Sequence, residues 1–234
     1  MSKRIFCIRS IVIFIFITFI ISAIYLFVII EFVPLVDEKF SARVKGDYVI
    51  MLLQCILGIV AMVIPVILKK RWHIHVPPKM ILVYAIFLYC AIYLGEVQSF
   101  YYIVPYWDKV LHTLSGAMFA ALSFSVITTL NKKQYTSANL SPIIVAVFAF
   151  CFAITLEVLW EIYEFTTDLI LKTNMQKYAL SNGVLLVGQA ALKDTMQDLI
   201  VGSLGALIIS LIFYISLKYK KSWIDKIQLK INEF

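Results

Sequence analysis

One acid–base pair, one acidic pair and one acidic stripe stand out among the apolar residues of this sequence. Asp108 and His112 lie four residues apart in Trp107-Asp-Lys-Val-Leu-His-Thr-Leu-Ser-Gly116. Glu157, Glu161, Glu164 and Asp168 follow offsets of 0, 4, 7 and 11, and Asp194 and Asp198 are again four apart. On helices each set occupies a single face. Carboxylates and an imidazole on facing helices form the donor set with which bundles hold a divalent metal ion such as Zn, Mn, Fe or Mg. The same groups also move protons. His112, Asp108 and Glu157 are the candidate acid/base groups. Glu161, Glu164, Asp194 and Asp198 are the candidate metal ligands.

Several of these residues also fit plainer roles. Asp108 and Asp194 suit helix N-termini, where the macrodipole favours acids, and Glu164 and Asp168 suit a solvated interface. Glu157 and Glu161 fit neither role, because they sit about fourteen and ten residues inside the end of their apolar run, where carboxylates face polar interiors. So many carboxylates beside one imidazole are not all ionised and unpaired in a low-dielectric pocket. Either several carry protons or cations neutralise them. Basic residues nearby are few: Lys109, Lys193 and, in the first outer loop, Arg43. That count disfavours an arginine-cluster phosphatase and favours a metal-assisted hydrolase or transferase.

The elements that carry these residues are membrane helices. Of 234 residues, 62% are hydrophobic and 15% charged, and the mean hydropathy is +0.92, far from a soluble domain. Six apolar runs, 5–30, 49–68, 80–104, 110–130, 142–171 and 199–217, are each long enough to cross a bilayer. The fold class is therefore an all-α bundle of about six transmembrane helices in a single polytopic domain. The first run is too long for a signal-peptide core and reads as a retained anchor. With both termini cytoplasmic, fourteen of the 21 basic residues fall inside and twelve of the 14 acids at or beyond the outer halves of the helices. This orientation turns the acidic faces outward, away from the cytoplasm. The net charge of +7 then reflects topology and anionic lipid headgroups rather than nucleic acid.

Other motifs carry less. Cys7, Cys55, Cys90 and Cys151 lie in or beside apolar runs without CxxC spacing and read as packing residues. The sequence has no P-loop, GxGxxG or GxSxG. His73 and His75 read as part of a basic interfacial anchor, and Tyr101, Tyr102, Tyr106, Trp107 and Trp160 as an aromatic belt or a headgroup platform. In the loop 172–193, Val184 to Val187 are apolar enough to dip into the interface as a lid. Transport or channel function would need polar side chains through the whole depth. No ionisable residue continues along the inner halves of the last three spans, where hydroxyls such as Ser123, Ser125 and Thr128 keep that reading open.

Three motifs in order, Trp-Asp-Lys-x-x-His-x-x-x-Gly at 107–116, Glu-x-x-Trp-Glu-x-x-Glu at 157–164 and Asp-Thr-x-x-Asp at 194–198, resemble the bacterial YjdF-type integral membrane family. The Asp-Lys-x-x-His element is also similar to VanZ-like proteins. The resemblance implies an uncharacterised multi-spanning membrane protein with an outward pocket shared by Asp108, His112, Glu157, Glu161, Glu164, Asp194 and Asp198. The residues together suggest a metal-dependent hydrolase or transferase acting on a lipid or lipid-linked envelope substrate. A cation- or proton-coupled transporter and a non-catalytic membrane module are the alternatives.

Overall fold

A computed structural model describes residues 3–32, 45–132, 140–180, 183–220, 223 and 229–231. Arg43 and Lys133 lie outside them. The protein is all-α: six of its helical segments are long and apolar enough to cross a membrane. The helices are α1 (Lys3–Ile29), α2 (Lys45–Trp72), α3 (Pro78–Leu88), α4 (Phe100–Ile103), α5 (Trp107–Lys132), α6 (Pro142–Leu171) and α7 (Gln189–Lys218). Strands β1 (Ile74–His75) and β2 (Lys230–Ile231) form one short antiparallel pair. The chain divides into two compact units, Met1–Trp107 with Leu229–Phe234, and Asp108–Gln228.

In the first unit, α1 buries Ile15, Phe19, Ser22 and Leu26, a stripe at helical spacing. Phe19 packs with Met62 of α2 and Ala85 of α3, and Leu26 with Met51 and Cys55 of α2. Phe6, Phe14, Ile21 and Phe27 are exposed, which a helix in water would not tolerate and hydrocarbon welcomes. Gly58 makes room for this packing, since a Cβ there would sit 2.8 Å from Ile92. The third span departs from the run read as 80–104. After α3 the chain continues as a π-helix over Tyr89–Val97, then breaks at Ser99, whose φ of 64° no helix accommodates. The break lets the Tyr101 ring pack onto Gly95, and Glu96 accepts a hydrogen bond from Gln54 Nε2 at 3.2 Å.

The second unit carries the acidic motifs. On α6 one face runs Ala149, Ala153, Glu157, Glu161, Glu164 and Asp168, all buried, changing from alanine to carboxylate half-way along. Where it is alanine, the helices close up: Ala120 of α5, Ala153 and Ala206 of α7 meet with no exposure. Glycines bring α5 and α7 closer still. A Cβ at Gly116 would meet the Gly202 carbonyl, and one at Gly205 the Thr113 carbonyl. Beyond the alanines, Phe124 and Phe213 stack at 4.0 Å against Val145 and Ala149. The helix α7 starts at Gln189, ten residues ahead of the apolar run at 199–217, so Asp194 and Asp198 lie on its second and third turns. Asp194 is thus inside the helix, beyond the reach of its N-terminal amides.

Candidate functional site

The acidic faces of α5, α6 and α7 and the loop 172–188 meet at one end of the second unit. The centre is His112 of α5. Its Nδ1 lies 3.1 Å from Glu157 Oε2 on α6, and Ser115 Oγ donates to Glu157 Oε1 at 2.6 Å. Its Nε2 faces two aspartates, Asp108 Oδ1 at 3.7 Å and Asp198 Oδ1 at 3.9 Å. The ligating atoms of Asp108, His112 and Asp198 all lie within 4.8 Å of one another.

The second oxygen of each aspartate is taken by a lysine. Lys109 Nζ donates to Asp198 Oδ2 at 2.7 Å and to Asp194 Oδ1 at 2.6 Å. Lys177, carried by the loop, pairs with Asp108 Oδ2 and lies 3.3 Å from Asp194 Oδ1. Burial lowers the pKa of the Lys177 ammonium, but the Asp108 charge and hydrogen bond, with Asp194 and Asp198 behind them, raise it above the ordinary lysine value. One turn beyond Glu157, Glu161 Oε2 accepts from Gln176 Nε2 at 3.3 Å, and that amide also donates to Thr195 Oγ1 at 2.9 Å. Glu164 Oε1 accepts from the Trp160 indole at 2.9 Å. Asp198 Oδ1 and Glu161 Oε1 are buried oxygens with no hydrogen-bond partner among the described residues.

The loop is held from below by Asp168. Its carboxylate accepts from Thr173 Oγ1 at 2.5 Å and from the Met175 and Gln176 amides at 2.7 and 2.9 Å. Lys172, with φ 57°, ends α6 and turns the chain so that these donors point back. Gln176 and Lys177 are thereby aimed into the site. Beyond them Ala179 pairs with Leu185, and Val184, Leu185 and Val187 stand exposed, Val187 at 84%.

All seven candidate residues therefore lie in the second unit and all are partnered there. The convergent donor set consists of Asp108 and His112, which the spacing suggests as acid/base groups, and Asp198 alone of the four expected ligands. Glu161 and Glu164 contact Gln176 and Trp160, and Asp194 contacts the two lysines. Glu96 belongs to the first unit, where it accepts from Gln54. Sequence reasoning passed over Lys177 and Gln176, whose loop has no periodicity to mark a face. Ser115 also enters the site, and its place three residues after His112 was the available signal.

Residues 7–219 match the family described as "Predicted membrane protein (DUF2238)". The chain belongs to this family of predicted membrane proteins. The DUF2238 match takes in both units and every candidate residue. An uncharacterized protein of Thermotoga maritima is 30% identical over 155 residues, 64% of this chain and 69% of the relative. No solved structure matches this DUF2238 chain.

Proposed function

We propose that the chain is a metal-dependent hydrolase or transferase of the bacterial cytoplasmic membrane, acting from the outward side on a lipid or lipid-linked envelope substrate. The observation that carries this reading is the triangle of His112 Nε2, Asp108 Oδ1 and Asp198 Oδ1. With Nδ1 against Glu157 Oε2, a neutral imidazole that donates there would present the Nε2 lone pair toward two carboxylate oxygens. Three electron-pair donors so placed would share a cation. A proton on Nε2 would draw an oxygen in to about 2.7–3.2 Å. The observed 3.7 and 3.9 Å are closer to the edge of about 3.3–3.4 Å expected of a tetrahedron with bonds of about 2.0–2.1 Å.

Charge supports the same reading. The six clustered carboxylates, Asp108, Glu157, Glu161, Glu164, Asp194 and Asp198, outnumber Lys109 and Lys177 by four, an excess that a divalent cation together with protons on some carboxylates would remove. The hydrogen bond from Nδ1 to Glu157 is the kind of outer contact that orients metal-binding histidines. A divalent ion there would polarise a substrate oxygen and acidify a bound water. Glu161, one turn along α6, has a buried oxygen free to accept a proton. The Asp-Lys-x-x-His element, which resembles one in VanZ-like proteins, supplies Asp108, Lys109 and His112.

Transport receives less support, because the alanine contact and the Phe124–Phe213 stack follow the site along the helices. Thr128 and Thr129 spend their hydroxyls on the carbonyls of Phe124 and Ser125 in their own helix. Metal analysis of the purified full chain tests the proposal. One divalent ion per chain, lost in Asp108→Ala and Asp198→Ala, is expected. A wild-type chain that neither retains metal nor binds zinc saturably would sink it.

A further inference from the structure

We propose that Lys109 and Lys177 together seat the anionic group of the substrate, a phosphate ester, at the mouth of the site. This rests on the metal reading above and names the class of molecule on which it would act. The two ammonium groups come from different elements, α5 and the loop 172–188, and converge on one atom. Asp194 Oδ1 lies 2.6 Å from Lys109 Nζ and 3.3 Å from Lys177 Nζ. Asp194 is outside the convergent donor set. It is an internal anion held where two cations meet, and a substrate oxyanion suits the same electrostatic position.

Depth and charge agree. The Lys177 side chain is 39% exposed, Lys109 17%, His112 7% and Asp198 1%. An anion arriving from outside the protein meets the lysines before the donor triangle. A divalent cation in that triangle takes up the charge of Asp108 and Asp198, leaving two ammonium groups with Asp194 as the carboxylate they share. The mouth is then locally positive, the balancing Glu157 carboxylate lying deeper, against His112. Ammonium groups serve phosphate as point charges. A tetrahedral phosphate held by both lysines keeps further oxygens with which to reach the cation.

The test is calorimetric titration of the metal-loaded full chain with dihexanoylphosphatidic acid and, separately, with inorganic phosphate, with metal content measured on the same samples. Lys177→Gln should keep its metal and bind the lipid phosphate about tenfold more weakly, the loss of one charge-assisted contact. Lys177→Arg should stay near wild type. Asp194→Asn, which removes the internal competitor, should bind more tightly. Preference for the lipid over inorganic phosphate assigns a headgroup, and equal binding assigns free phosphate. Undiminished binding in Lys177→Gln with metal retained, or weaker binding in Asp194→Asn, overturns the lysine seat and leaves the metal reading standing. A wild-type chain without metal overturns the metal reading instead.

Discussion

Glu157 of α6 and His112 of α5 are joined at 3.1 Å, and the other Glu157 oxygen is closed off by Ser115 at 2.6 Å. Both oxygens of a carboxylate only 2% exposed are thus committed to α5. The pair ties two helices together and turns Nε2 toward Asp108 and Asp198.

Glu157→Gln preserves the shape but presents an amide where two donors expect an acceptor. Metal affinity should fall about 10- to 100-fold, the usual cost of losing an outer partner of a metal-bound histidine. Zinc titration against a competing chelator measures it. Glu157→Ala should in addition lower the unfolding temperature in detergent, since each buried group left unpaired costs about 1–3 kcal/mol. Wild-type affinity in Glu157→Gln would remove this residue from the site.

Gly202 is the second support of that contact. A Cβ added there would come within 2.6 Å of Glu157 Oε2 and meet its carboxyl carbon at 2.9 Å. Gly202→Ala should therefore displace Glu157 from His112 and weaken metal binding. Gly116→Ala, whose new methyl meets the Gly202 backbone, should act mainly on stability, by about 1–3 kcal/mol for overpacking. Thermal unfolding and zinc titration on both variants separate the two effects. Equal behaviour of the two variants would show that the glycines serve helix approach alone.

Asp168 holds the loop through three donors. In Asp168→Ala the loop 173–187 should become a preferred site of limited proteolysis, while the spanning helices stay protected. The Lys177 latch responds little to pH. Its folded pKa is raised, so its contribution is complete below the ordinary lysine value of about 10.4 and is lost only as pH rises through the higher folded value. Proteolysis of the wild type should consequently be as slow at pH 9 as at pH 7, apart from the protease's own pH response. Faster loop cleavage at pH 9 would show that another group controls the latch.

Orientation is tested with single cysteines in a chain from which Cys7, Cys55, Cys90 and Cys151 have been replaced. Val187→Cys, at the exposed loop, should react with a membrane-impermeant maleimide in intact cells. Lys70→Cys, at the basic end of α2, should react only after lysis. The reverse pattern would put the site on the cytoplasmic side.

The six apolar runs and the shared faces of Asp108 with His112, of Glu157 through Asp168 and of Asp194 with Asp198 could be read from the sequence, because helical periodicity and hydropathy are local properties. The helix α7 already exceeded that signal: Gln189 to Asp198 is helical without being apolar, since backbone hydrogen bonds need no hydrocarbon. The π-helix before Ser99 left no periodic mark either. Tertiary structure alone decided the partners. It split the oxygens of Asp108 and Asp198 between lysines and His112, set Glu157 against His112 and Ser115, and brought Gln176 and Lys177 from a loop into the site. Which carboxylate meets which cation depends on how closely α5 and α7 approach at Gly116 and Gly202 and on where Asp168 anchors the loop. Those are distances between segments far apart in the chain, and residue spacing along it does not encode them.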